Sequence, residues 1–167
     1  MQRFMLLLCC ILVVPGTVTA QQLVFSANDL DTVQLTEKKE WGKVQITARS
    51  DKNVTIESMD VPREAPDGEL FNNRIKLNGG GSLEYRAILF TVEQKGELVV
   101  YCNSSSKTDA RTLVLVDAKT GNVITQFSAE PDTGSKACLV KAILPDPGTY
   151  ALYSKSGGIN IYQIMVK

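Results

Sequence analysis

The sequence predicts an all-β domain, a two-sheet antiparallel sandwich of jelly-roll type, on three observations. Apolar segments of strand length recur from Leu23 to the end of the chain, turn residues punctuate them, and no helical period runs over ten or more positions. Eight to ten such strands in one domain fit two packed sheets better than a small closed barrel.

The first segment is not part of that pattern. Arg3 precedes an apolar core of ten residues, 5–14, followed by Pro15, Gly16 and a small-residue stretch ending at Ala20. This reads as a secretory signal peptide over 1–20, because a bilayer span needs roughly twenty apolar residues. Nothing later approaches a membrane span, so the mature product is expected outside the cell with no membrane insertion. Residues 21–167 have the length of one compact domain able to bury its own core.

Along that domain, residues 44–48 and 74–77 alternate apolar with polar side chains, as half-exposed strands do. The segment Ala87–Val92 puts Ile88, Phe90 and Val92 on one face. Residues 98–101 and 112–116 are apolar on both faces and read as central strands. Between the early and middle strands, residues 58–73 carry Pro62, Pro66, Gly68 and several charges, the composition of a long exposed connection between sheets. Residues 117–122 form a turn with Gly121 available for a left-handed position. Asp146-Pro147-Gly148 then leads into residues 149–154 and 159–166, joined by Ser156-Gly157-Gly158. The Gly-Gly linker and the β-rich flanks read as a β-hairpin closing the domain.

Composition excludes several functions. The chain has 18 basic and 18 acidic residues; without Arg3 there are 17 basic against 18 acidic, interspersed, so no nucleic-acid partner is implied. Lys38 and Lys39 sit beside Glu37 and Glu40, as on a solvated loop. There is no histidine, which removes the imidazole from nucleophilic triads and from the usual zinc sets. Carboxylate pairs such as Asp29 with Asp31 or Glu37 with Glu40 lie in turn-like stretches, and no motif sets two of them across a cleft. No enzyme activity and no cofactor are expected. Asp29, Asp31, Asp109 and Asp117 could supply oxygens to a structural calcium, but no contiguous ligand loop supports one.

Cys9 and Cys10 fall within the signal segment. Cys102 and Cys138 remain, each at the edge of an apolar run, and in an oxidising compartment they are expected to form a disulfide; two buried free thiols are the alternative. Asn53-Val54-Thr55 and Asn103-Ser104-Ser105 are N-glycosylation sequons for a host that performs that chemistry.

Candidate ligand-binding residues are arginines and aromatics. Arg86 and Arg111 stand at strand entrances, each with an acid two positions before, Glu84 and Asp109. They can serve as ion pairs, as clamps on loop carbonyls, or as bidentate partners of a substrate carboxylate. Sugar rings stack on aromatic faces, for which Trp41, Tyr85, Tyr101, Tyr150, Tyr153 and Tyr162 are available; core packing is the other use for each. Trp41 lies in a polar turn, where burial is less automatic.

Several short patterns occur together: 74–82 with its Gly79-Gly80-Gly81, Tyr85-Arg86, 109–113, Gly148-Thr149-Tyr150 and 156–162. In that order they resemble the β-sandwich module appended to secreted pectate lyases and other polysaccharide-degrading proteins, over nearly the whole mature chain. The resemblance implies an accessory, carbohydrate-binding-like role, since in those proteins the lyase chemistry belongs to a separate, longer β-helix. Arg86, Arg111, Tyr150, Asn160 and Tyr162 match the family pattern. The chain departs from it in standing alone behind a signal peptide and in its cysteine pair. The expectation is a secreted, non-catalytic protein binding polysaccharide, including acidic uronate polymers, through Arg86, Arg111, Trp41, Tyr85, Tyr150, Asn160 and Tyr162. The alternative is a structural or adhesive extracellular protein that contacts other proteins.

Overall fold

The structure is a computed structural model that describes residues 21–167. The expected signal peptide lies outside these residues. Thirteen strands form two antiparallel sheets. The first sheet has the order β11-β8-β13-β6-β5-β2, namely Cys138–Leu144, Gly96–Ser104, Ile159–Val166, Leu70–Leu77, Val54–Glu64 and Val33–Leu35, with β1 (Leu23–Ser26) also pairing β13. The second has the order β10-β9-β12-β7-β4-β3, namely Val123–Ala129, Arg111–Asp117, Gly148–Ser154, Ala87–Val92, Val44–Thr47 and Lys39–Trp41. The all-β sandwich expected from the sequence is therefore present, and among the described residues no helix is long and apolar enough to cross a membrane.

Strand alternation builds the core. Ile88, Phe90 and Val92 of β7 pack with Leu98, Val100 and Cys102 of β8 and with Ile159, Ile161, Ile164 and Val166 of β13. At about 25 cal/mol per Å² of apolar surface removed from water, side chains of this size each stabilise the fold by roughly 1.5–3 kcal/mol before the cost of ordering them. The strands apolar on both faces, β8 and β9, also bury their outer faces, in two smaller clusters. Val99 and Tyr101 join Phe71, Tyr162 and Met165, while Val114 and Val116 join Ala151.

Two expected connections are corrected by the sheet pairing. The last two strands are not a hairpin: β12 pairs β7 and β9 in one sheet, while β13 pairs β8, β6 and β1 in the other. The Ser156-Gly157-Gly158 link crosses between sheets, with Gly157 at φ +70. Residues 58–73 are mostly exposed, as expected, but they do not link the two sheets. They are the outer ends of β5 and β6 with the turn 65–69 between them, and the pairing of the two strands is interrupted between Ser58 and Arg63. Pro62, which has no N–H to donate, falls in that interruption. The interrupted arm lies on the outer face of the first sheet, where Tyr101 donates its hydroxyl to Asp67 Oδ2 at 2.6 Å and Phe71 stacks on Tyr162 with ring centroids 5.4 Å apart.

Cys102 and Cys138, the pair expected to form a disulfide, lie directly opposite in register as thiols, with sulfurs 3.8 Å apart. The two sequon asparagines differ in setting, and Asn103 is the more enclosed. It is 2% exposed, and the Nδ2 that would carry a glycan donates to the Glu130 and Pro131 carbonyls, both at 3.2 Å. Asn53 is half-buried, and its side-chain oxygen accepts from Asn78 at 2.8 Å. Among the described residues no cluster of three or more acidic or cysteine side chains could hold a metal. Asp109 bonds to Ser106 and Thr108, and Asp117 caps its own turn through the Lys119 and Thr120 N–H groups.

Candidate functional site

The outer face of the first sheet carries a built polar site. The pleat puts Glu57 opposite Arg74, Thr55 opposite Lys76, Lys76 opposite Asn160 and Asn160 opposite Asn103, so these residues cross four strands on one face. A register shift in β13 between Ile161 and Gln163 makes Tyr162 a bulge residue and keeps it on the outer side with Met165.

Three segments wall the site. The β5 arm contributes residues 58–61 and Arg63, the β8–β9 loop Ser105 and Lys107, and the β10–β11 loop Asp132, Thr133 and Gly134. Backbone bonds tie them together: Asp132 N–H to Ser106 O at 2.9 Å, Ser104 N–H to Glu130 O at 2.8 Å, and Glu64 N–H to Ser135 O at 2.9 Å. They enclose a cleft of about 660 Å³.

Asp132 is its anchor. The carboxylate is 7% exposed and accepts from Arg63 at both oxygens, Nε to Oδ1 at 2.6 Å and a terminal guanidinium nitrogen to Oδ2 at 3.0 Å. The Gly134 N–H at 3.0 Å and the Asn160 amide at 3.2 Å complete its shell. Arg63 also donates to the Val61 carbonyl, fixing the arm's bend. Asp132's hydrogen bonds and charge hold the Arg63 guanidinium above even its ordinary, very high pKa. Arg74 donates to Glu57 Oε1 at 2.8 and 2.5 Å and lies 3.8 Å from Asp132. With those charges matched, Lys107 and Asp60 are the cleft side chains in no ion pair among the described residues.

Beneath this shell, Asn103 Oδ1, Asn160 Oδ1 and the Tyr162 hydroxyl are buried without a hydrogen-bond partner. Burial raises the Tyr162 phenol well above its ordinary pKa, and the Asp132 charge adds to the shift. The cleft offers hydroxyls (Ser58, Ser105, Thr133), guanidinium and ammonium donors, one free carboxylate and the apolar Met59 and Val61. It is equipped to hydrogen-bond a polyol. Its neighbouring rings, Phe71, Tyr101 and Tyr162, are all 3% exposed or less, so none of them offers a stacking face.

Of the residues expected from the sequence, Asn160 and Tyr162 lie under this cleft, both fully buried. The others are elsewhere. Arg111 donates to Ser105 Oγ at 2.7 Å and to the Gly158 carbonyl at 2.6 Å, packing against Gly157. Arg86, at φ +52, donates to the Asn53 carbonyl at 3.2 Å. Of the roles open to the two arginines, the clamp on loop carbonyls is the one seen. Tyr150 is buried in the core, stacked on Phe90, with its hydroxyl on the Asp146 carbonyl at 2.8 Å. Trp41 packs on Phe25 with centroids 5.8 Å apart and Lys39 over its ring. Tyr85 lies half-buried beside Arg49 and Lys52. Sequence reasoning missed Arg63, Asp132 and Lys107. The Asp132-Thr133-Gly134 turn was the only local trace, and it looks like any other turn.

Fold and site define a β-sandwich domain with a polar, loop-walled cleft on one sheet's outer face. No protein-family model matches the chain, and no curated protein does. Among solved structures, it is similar to the xylanase 10B of Clostridium thermocellum, a structure of the CBM22-1 and GH10 modules complexed with xylohexaose. The identity is 11% and the TM-score 0.53, over 89% of this chain and 28% of that one. It is also similar to a protein of the Ruminococcus flavefaciens cellulosome, described under an expansion in glycan recognition. There the identity is 12% and the TM-score 0.52, over 90% of this chain and 96% of that one. At these identities the likeness is one of fold, the β-sandwich found in carbohydrate-binding modules, and neither neighbour is described as a pectate lyase.

Proposed function

We propose that this is an extracellular, non-catalytic protein that binds polysaccharide in the cleft between the β5 arm and the β10–β11 loop. The observation that carries the reading is the Arg63–Asp132–Asn160 anchor, which ties the β5 arm and the β10–β11 loop to β13 beside a hydroxyl-rich cavity of about 660 Å³. Preorganised polar groups are what a sugar ligand needs, because its hydroxyls gain little from burial alone. The fold shared with carbohydrate-binding modules supports the same reading.

Catalysis finds no equipment here. A glycosidase uses two available carboxyl groups, and Asp132 and Glu57 are both occupied by arginines, leaving Asp60. Lys107 supports the acidic form of the reading, in which a uronate carboxylate pairs with its ammonium. Asp60 opposes it, so charge alone does not favour uronates. The attachment to pectate-degrading systems implied by the sequence resemblance rests on that uronate preference.

The test is retention on immobilised neutral and acidic polysaccharides, with Lys107→Ala and Asp60→Asn compared against the parent protein. Both side chains are exposed, and neither supports the fold. Retention on a neutral glucan or xylan that falls in both variants establishes the cleft. Retention confined to uronate polymers, lost in Lys107→Ala and strengthened in Asp60→Asn, establishes the acidic form. No retention on any polymer overturns the reading. That outcome favours protein contacts through edge strands β10 and β11, which run close together and expose Val123 (52%), Ile124 (36%) and Ile143 (66%).

A further inference from the structure

Cys102 and Cys138 do not line the cleft described above, yet their placement is chemically specific. They face each other across β8 and β11 in direct register. Directly opposed antiparallel residues have Cα atoms about 4.5–5.5 Å apart, within the span a disulfide bridges. Their surroundings differ. Cys102 is fully buried in the inter-sheet core. Cys138 is half-buried and lines a second cleft, of about 350 Å³, together with Asn103, Lys107, Glu130 and Lys136.

Hydrogen bonding separates the two thiols further. The Cys138 thiol donates to the Cys102 carbonyl oxygen at 2.7 Å, and its sulfur lies 3.8 Å from that of Cys102. The Cys102 thiol as hydrogen-bond donor lowers the Cys138 pKa to about 7, against burial and the Glu130 carboxylate, which raise it. The same hydrogen bond, and then burial, push Cys102 up. Thiolate is the nucleophile, so the reachable sulfur is also the readier one.

We propose that Cys138 is a thiol-modification site, the entry point for thiol–disulfide exchange with small disulfides, and that Cys102 is its resolving partner. The Cys138 thiolate attacks one sulfur of a small disulfide RS–SR. That S–S bond breaks, Cys138–S–SR forms, and RS⁻ leaves and takes up the proton Cys138 released. Cys102 then loses its proton and attacks the Cys138 sulfur, so that the Cys102–Cys138 bond forms and the second RS⁻ leaves as RSH. Two electrons pass from the protein dithiol to RS–SR, which ends as two RSH. The order follows from access, since Cys102 is fully buried and Cys138 is not.

The test starts from reduced protein pulsed with iodoacetamide and mapped by peptide mass. Cys138 is expected to be alkylated roughly tenfold or more faster than Cys102. Glutathione disulfide should then leave a stable adduct on Cys138 in Cys102→Ser. It should leave none in Cys138→Ser, and in the parent protein it should give an internal disulfide, read as the loss of two hydrogens. Equal labelling of the two cysteines in the parent protein overturns the order, and that result needs no variant to fold. An unmodified Cys138 in folded Cys102→Ser overturns the site.

Discussion

Arg63 and Asp132, 69 positions apart, form a two-pronged ion pair that is almost fully buried and joins the bent β5 arm to the β10–β11 loop. The pair is more than a surface contact. Each partner excludes water from the other, so each depends on the other's charge, and the cleft exists because the two segments are held together.

Removing one partner should therefore cost much more than the pair contributes. Asp132→Ala leaves the Arg63 guanidinium buried without a counter-charge and is expected to destabilise the fold by about 3–5 kcal/mol. Replacing both residues with leucine should cost less than that single change. Urea midpoints of the two variants check the ordering, and equal losses would refute the account.

Gly157 and Arg111 form a second testable pair. A Cβ on Gly157 would sit 2.6 Å from Arg111 Nε, whereas a Cβ on Gly121, also at positive φ, meets nothing within 4 Å. Gly121→Ala should cost about 1–2 kcal/mol of left-handed strain. Gly157→Ala should cost about 1–3 kcal/mol more for the forced contact, and that excess should disappear in an Arg111→Ala background. A double-mutant cycle by denaturant unfolding measures the coupling.

Stability should fall on the alkaline side. Burial pushes both the Tyr101 and Tyr162 phenols above the ordinary value of 10, and the Asp67 carboxylate adds to the shift at Tyr101. The folded chain keeps these protons where the unfolded chain gives them up. Their contribution is therefore intact below about pH 10 and lost as the pH climbs beyond it. Tyr101→Phe should flatten that fall. On the acid side, Asp67 is held below the usual carboxyl range chiefly by the Tyr101 hydroxyl, so its contribution is present above about pH 4 and disappears below. The same variant should remove this smaller loss as well. Urea midpoints across pH test both limbs.

Glycosylation should distinguish the two sequons. In protein secreted from a eukaryotic host, a mobility shift removable by a glycosidase should vanish in Asn53→Gln and persist in Asn103→Gln, because the Asn103 amide is buried against two carbonyls. Folded protein carrying a glycan on Asn103 would contradict the packing of the β10–β11 loop.

Much of the fold is local information. Ala87–Val92 is strand β7 with the face assignment that alternation implies, and residues 98–101 and 112–116 lie in β8 and β9, interior strands buried on both faces. Gly121 takes the left-handed position its turn requires. The candidate site was mostly illegible. Asn160 and Tyr162 stood out through the resemblance, but Arg63, Asp132 and Lys107 look in sequence like ordinary loop charges. Their partnership depends on contacts between segments far apart along the chain.

By itself, the sequence determined the all-β class, most strand positions and the exclusion of imidazole chemistry, because side-chain alternation, turn residues and composition are properties of neighbours in the chain. Tertiary structure decided which sheet each strand joins. It split β12 from β13, and through the bulge at Tyr162 it kept Asn160 and Tyr162 on the outer face while Ile164 and Val166 returned to the core. A strand's period of two fixes which side chains share a face but not which partner that face meets. The cleft, the ion pair beneath it and the unequal cysteines all depend on that choice of partner.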